Sequence, residues 1–170
     1  RHLKTYEVLL REKDLSDGPW PQVNVEAGAT MLVAIKSGGV LVIGETSITY
    51  LSGSDFKAIA VPFMVVRACE PIDDSRFLLG DHLGGLHVLL LDVPAGGGPV
   101  TGLVLERMGT TSVPTTLSYL TDDIAFVGSS FGDSQLIQLQ TEPVRAPPPP
   151  PPQSARASSR CWRDSSRAGR

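Results

Sequence analysis

Short apolar runs broken by polar, glycine-bearing turns recur along most of this chain. Few architectures other than antiparallel β-sheet accommodate such a pattern. The clearest instance is 119–139. There an apolar run, an Asp122-Asp123 turn, Phe126-Val127-Gly128, a serine- and glycine-bearing turn and Gln135-Leu136-Ile137-Gln138-Leu139 follow in order. Residues 76–91 and 40–51 repeat the same grammar. Gly44, Gly80 and Gly128 each stand at the end of one apolar run. Their separations, 36 and 48 residues, lie in or near the window that marks stacked repeat units.

Read in order, 2–10 alternates loosely and predicts a strand with one buried face. Residues 11–29 are charged and then rich in Gly, Pro and Asn, and predict a long surface connection. Residues 30–35 and 40–44 flank Lys36-Ser37-Gly38-Gly39, a hairpin signal because glycine supplies the positive φ that tight turns need. Runs at 48–51 and 57–61 complete four short strands. The count restarts at 63–67, 76–80, 86–92 and 101–108, and again at 116–120, 124–128 and 134–140, where a fourth strand is missing. Helical periodicity is nowhere convincing, and β-branched and aromatic residues concentrate in the runs.

Four antiparallel strands per unit at roughly 40-residue spacing is the signature of β-propeller blades. A β-sandwich uses similar strands, but the repeated order of turns favours blades. The expected fold is therefore all-β: a partial β-propeller of about three four-stranded blades over 1–144, then a disordered tail over 145–170. About four to eight blades close a ring, so this piece is expected to leave unpaired edges and not to fold stably by itself. The absence of an initiator Met and of a secretory signal agrees with an internal piece.

The tail breaks the pattern. Pro147 to Pro152 is an uninterrupted proline run that favours an extended polyproline II rod. It reads as a spacer, or sequence foreign to the fold, before it reads as a ligand for an aromatic-lined groove. Residues 154–170 are mostly Arg, Ser and Ala. Six arginines and one acid lie beyond residue 144. Of 15 basic and 18 acidic residues, 9 and 17 therefore fall in 1–144, a net charge of −8. An acidic body is poorly suited to gripping nucleic-acid phosphates by itself. No apolar run approaches a membrane span. Cys69 and Cys161 form neither a disulfide framework nor a metal motif, which points to a reducing compartment.

The chemistry-bearing motifs are weak. Gly128-Ser129-Ser130-Phe131-Gly132 matches G-x-S-x-G, but a nucleophile elbow needs a strand, a sharp turn and a helix, then an acid and a histidine. Here a strand is predicted after the turn, and the last histidine is His87. Asp81, His82 and His87 lack the further ligands a metal site requires. His82 reads as a solvated loop histidine and His87 as a strand-face histidine. Asp73-Asp74 and Asp122-Asp123 stand where turns favour short polar side chains. No catalytic residue, metal site or cofactor is expected. What remains is surface: Tyr119, Ser130 and Phe131, with an aromatic at a turn that either packs on a neighbouring blade or meets a partner.

Several segments together resemble a known family. They are Arg-His-Leu-Lys-Thr-Tyr-Glu-Val at 1–8, Gly-Pro-Trp at 18–20, Asn-Val-Glu-Ala at 24–27, Ile-Gly-Glu-Thr-Ser-Ile-Thr-Tyr at 43–50, Leu-Leu-Gly-Asp at 78–81 and Phe-Val-Gly-Ser-Ser-Phe-Gly-Asp-Ser-Gln-Leu at 126–136. In register over about 1–140, they are similar to the family of the large subunit of the UV-damaged DNA-binding protein, in the later part of its first β-propeller. The resemblance implies a non-enzymatic adaptor of cullin-4 RING ubiquitin ligases. Such an adaptor binds substrate-receptor proteins and takes part in DNA repair, meeting DNA only through a partner. It implies nuclear and also cytoplasmic localisation, with no membrane. It implies receptor contacts at Tyr119 and at the turn of Ser130 and Phe131. Tyr119 matches the family residue, Phe131 replaces another apolar residue, Ser130 an arginine, and Thr115 an acid. Related three-propeller scaffolds of mRNA cleavage and polyadenylation or of splicing are the alternative.

Overall fold

The computed structural model describes residues 1–53, 55–95 and 98–140. The proline run, the arginine-rich segment and Cys161 lie outside the described residues. Two units are distinguished, 1–139 and 140–170, and only the first is described below. Every regular element in it is a strand.

The first residues form a pair of two-stranded ribbons: β1 (His2–Leu3) with β4 (Val23–Asn24), and β2 (Tyr6–Leu9) with β3 (Asp14–Asp17). Two expectations are corrected here. Residues 2–10 are two strands rather than one, and 11–29 is not a structureless connection. The Asp-Leu-Ser-Asp of β3 lacks alternating hydrophobicity, so it is a strand only because it pairs across a turn with β2. Lys13 enters the left-handed region at φ 55° to close that turn.

Three antiparallel sheets follow in chain order. The first joins β5 (Met31–Ala34), β6 (Val40–Ile43), β7 (Ser47–Ser52) and β8 (Asp55–Ala60). The second joins β9 (Val66–Pro71), β10 (Arg76–Asp81), β11 (Gly85–Asp92) and β12 (Gly102–Thr110). The third holds β13 (Thr116–Tyr119), β14 (Ile124–Gly128) and β15 (Gln135–Gln138). In each sheet consecutive strands are neighbours, the meander that the turn spacing predicted. Gly38 and Gly39 take φ of 109° and 92° in the β5–β6 turn, as a tight hairpin requires.

The strand expected at 63–67 begins instead at Val66. Residues 61–65 cross between sheets and spend their amides elsewhere: Val61 N–H on Thr46 O, Met64 N–H on Glu45 O, and Val65 N–H on His82 Nδ1. With their donors so engaged, they cannot join a ladder.

Period-two alternation places the core on both faces of the middle sheet. Phe77, Leu79, Leu89 and Leu91 pack with Leu41, Ile43, Ile48 and Tyr50 of the first sheet. Leu78, Leu86 and Val88 pack with Leu117, Ala125 and Val127 of the third. Leu78 and Leu79 are adjacent, both fully buried, and point into different layers. Removing either side chain to alanine costs about 2–5 kcal/mol by lost transfer energy and the cavity left behind. A sheet buried on both faces explains why 76–80 reads as a continuous apolar run rather than a half-polar one.

Candidate partner-binding surface

Thr116 pairs with Gly128 and Tyr119 with Ala125. The β14–β15 turn, which carries Ser130 and Phe131, therefore lies at the Thr116 end of the third sheet. Tyr119 lies at the other end, three residues or about 10 Å along the strand. The three residues singled out from the sequence are not brought together.

The Ser130 end is tied by side chains. Ser129 Oγ donates to Val113 O at 2.7 Å and accepts from Phe131 N–H at 3.2 Å. Ser130 N–H donates to Thr115 Oγ1 at 3.0 Å, and the Thr115 and Ser130 hydroxyls meet at 3.1 Å. Ser129 N–H donates to Ser134 Oγ, and Gln135 Oε1 accepts from Ser112 N–H. These bonds fix the turn while Phe131 stays 73% exposed. Of the two fates open to that aromatic, packing on a neighbouring blade is not the one adopted among the described residues. A strand, β15, follows the turn, and both Ser129 and Ser130 spend their side chains on bonds within the turn and to 113–115. The G-x-S-x-G segment is a hairpin turn, without the helix that would lift a serine over an oxyanion hole.

At the opposite end Tyr119 is half-buried. Its N–H donates to Glu70 Oε1 at 3.2 Å, and its hydroxyl accepts from Asp123 N–H at 3.2 Å. Asp122 and Asp123 both adopt left-handed backbone, φ 52° and 59°, so they are turn formers through conformation. Asp73 is a turn former through bonding: Oδ1 accepts from the N–H groups of Ser75 and Arg76 at 2.8 Å. Burial pushes its carboxyl upward, but bonds from Ser75 and Arg76 outweigh it and hold the group below its usual range.

His87 stands on a strand, β11, as expected, while His82 departs from the sequence reading. His82 is not a solvated loop residue, because its Nδ1 accepts from Val65 N–H at 3.2 Å. His87 Nε2 lies 2.9 Å from Asp81 Oδ2, and both side chains are nearly enclosed, with 12% and 11% accessible. Asp81 Oδ1 accepts from Leu83 and Gly85 N–H at 2.8 Å. Burial raises the Asp81 carboxyl, yet the bond from His87 and those from Leu83 and Gly85 bring it below its ordinary value. The i, i+4, i+6 spacing of Asp81, Gly85 and His87 around one hairpin was the available signal. No group of three or more metal-ligating side chains occurs among the described residues. Burial, then the charge of Glu70, pushes the Cys69 thiol up to about 12, which leaves it protonated and a poor nucleophile.

Meandering blade-like sheets, a two-faced core and turns that carry the exposed aromatics all bear on kinship. A family model described as the RSE1/DDB1/CPSF1 first beta-propeller matches residues 1–163. The chain belongs to that family. As a member of the RSE1/DDB1/CPSF1 first-propeller family it is 47% identical over 147 residues to DNA damage-binding protein 1 of Solanum lycopersicum, which covers 84% of this chain. It is 46% identical over the same share to DNA damage-binding protein 1a of Arabidopsis thaliana, and 44% to DNA damage-binding protein 1 of Oryza sativa subsp. japonica. The chain spans 13% of the length of these relatives. Its all-strand, four-stranded antiparallel sheets agree with a first β-propeller domain.

Proposed function

We propose that this chain is part of a non-enzymatic adaptor that links substrate-receptor proteins to a cullin-RING ubiquitin ligase during DNA repair. The adaptor acts in the nucleus and also in the cytoplasm and reaches DNA through a partner. The observation that carries this reading is the 47% identity, over most of the chain, to a protein named for binding damaged DNA. The family resemblance set out from the sequence supplies the adaptor role. Exposed Phe131 on a turn pinned by five side-chain bonds supports a docking role, because a fixed apolar group loses little freedom on binding. The family model also takes its description from other members, and an RNA-processing scaffold is the second reading. The relatives named above favour the first. Among the described residues no helix is long and apolar enough to cross a membrane.

The test is affinity capture of the full chain from nuclear extract, read by mass spectrometry. Recovery of ligase substrate receptors, reduced about tenfold by Phe131→Ala, supports the reading. Because Tyr119 lies at the other end of its strand, Tyr119→Ala assayed separately tells whether both ends touch the partner. Recovery of polyadenylation or splicing factors, or of chaperones alone, overturns the reading.

A further inference from the structure

Where the connection 62–64 meets the β10–β11 hairpin and β12 at one end of the middle sheet, the apolar core opens into a cleft of about 300 Å³. The alternation that builds the core also builds this end. On β10 the inward series Phe77, Leu79 runs on to Asp81, and on β11 Leu91, Leu89 runs on to His87. On β12 Leu103, Leu105 runs on to Arg107, which stands directly across from His87. The end of an otherwise apolar face of the middle sheet is therefore ionisable.

These polar groups are not equivalent. Asp81 is 8% exposed, and its two oxygens are occupied by Leu83 N–H, Gly85 N–H and His87. The Arg107 guanidinium is exposed and, among the described residues, donates only to Thr110 Oγ1, at 3.3 Å. It forms no ion pair among the described residues. The charge presented at the cleft is thus a positive fork with donors to spare, on a body whose residues 1–144 carry a net charge of −8.

The rim is apolar and fixed. Phe63 and Leu83 are 65% and 74% exposed. The His82 ring meets Phe63 edge-on, 6.2 Å between centroids at 82°, and is itself held by Val65 N–H. Leu83 is held through its N–H on Asp81. At the low end of the ~300–1,000 Å³ range of ligand pockets, the volume suits one or two side chains rather than a whole secondary-structure element.

We propose that this cleft binds a peptide segment of a partner protein in which an apolar side chain stands next to a carboxylate. The apolar group lies between Phe63 and Leu83 against Leu105, and the carboxylate takes the guanidinium of Arg107. Charge complementarity selects the carboxylate, since the Arg107 guanidinium is exposed while the Asp81 carboxylate is buried with three of its four lone-pair sites already taken. The site is separate from the Phe131 turn, so it stands or falls independently of the receptor reading.

The test is a titration of the isotope-labelled full chain, followed by amide chemical shifts. The probes are four acetylated octapeptides of Gly and Ser with a central Leu-Glu, Leu-Gln, Ser-Glu or Leu-Lys pair. The expected result is saturable shifts at Phe63, Leu83, Leu105 and Arg107, with Leu-Glu bound about fivefold tighter than the other three. Arg107→Gln removes the difference between Leu-Glu and Leu-Gln and leaves Leu-Gln binding as it was. Leu83→Ser weakens all three leucine probes about fivefold. Phe56→Ser, on β8, changes none of the four affinities. Equal affinity for Leu-Glu and Leu-Lys, a charge preference that survives Arg107→Gln, or the absence of shifts at the cleft overturns the proposal. So does a spectrum of the parent chain without dispersed amides, because the cleft exists only where the middle sheet and the 62–64 connection are folded together.

Discussion

The β6–β7 and β10–β11 hairpins are both held by a carboxylate, but they recruit it differently. In β10–β11 the carboxylate is Asp81, at the end of the hairpin's own first strand. In β6–β7 it is Glu26, some 20 residues upstream. Its Oε1 accepts from the N–H groups of Glu45 and Thr46, and its Oε2 from the hydroxyls of Thr46 and Ser47 at 2.9 and 2.5 Å. Each carboxylate lies where a glycine leaves space. A Cβ on Gly85 would collide with the Asp81 carboxylate, and one on Gly44 with that of Glu26. The difference is freedom to retreat. Asp81 is enclosed with His87, whereas Glu26 is the half-buried end of a flexible side chain. A local clasp is built into its hairpin, and a remote one can let go.

Gly85→Ala should therefore have the largest effect, a loss of about 2–3 kcal/mol in urea unfolding. It crowds a buried pair that has nowhere to move and unseats its bonds. Gly44→Ala should cost less, about 1–2 kcal/mol, because Glu26 swings out into water and only its bonds are lost. In a Glu26→Ala background the Gly44→Ala penalty should largely vanish, and a double-mutant cycle reads that coupling directly. If Gly44→Ala costs as much as Gly85→Ala, the remote clasp is as rigid as the local one.

Acid titration of stability sharpens the same contrast. At Glu26 burial pushes the pKa up, but bonds from Ser47, Thr46 and the Glu45 and Thr46 amides outweigh it, so the group, like Asp81, sits below its ordinary value. A depressed folded value means that the stabilisation is complete above the unfolded value, ~4. It is lost as pH falls through the folded value. Glu26→Gln and Asp81→Asn should each flatten the fall in melting temperature below about pH 5. An unchanged slope in both would remove charge from the account. The smallest effect belongs to a third carboxylate, which is local like Asp81. Asp73→Ala should cost about 1 kcal/mol or less, since the Ser75 and Arg76 amides it releases can turn to water.

Much of this was legible in the chain because it depends on neighbours in sequence. The Lys36-Ser37-Gly38-Gly39 hairpin, the Asp73 turn and the four-strand rhythm from 30 to 108 follow from turn chemistry and alternation. The missed features depend on partners. β3 has no strand pattern and exists by pairing with β2, and the amides of Met64 and Val65 go to Glu45 and His82 instead of a ladder. Asp81 with His87 was within reach, since both belong to one hairpin. Glu26 with Gly44 was not, because nothing between residues 26 and 44 signals that they meet. Tyr119 and Phe131, grouped from the sequence, stand at opposite ends of a strand because antiparallel register separates them.

The amino-acid sequence by itself determined the class of fold, the succession of strands and turns, the acidic body and the kinship with damaged-DNA-binding propellers. Each of these rests on residue type and short-range spacing, which stereochemistry reads directly. Only the tertiary structure decided which glycines make room for which carboxylates, which faces of the middle sheet are buried, and where the middle sheet ends in an open cleft with Arg107 at its mouth. Those depend on how sheets stack, and stacking brings together side chains that the chain order keeps apart.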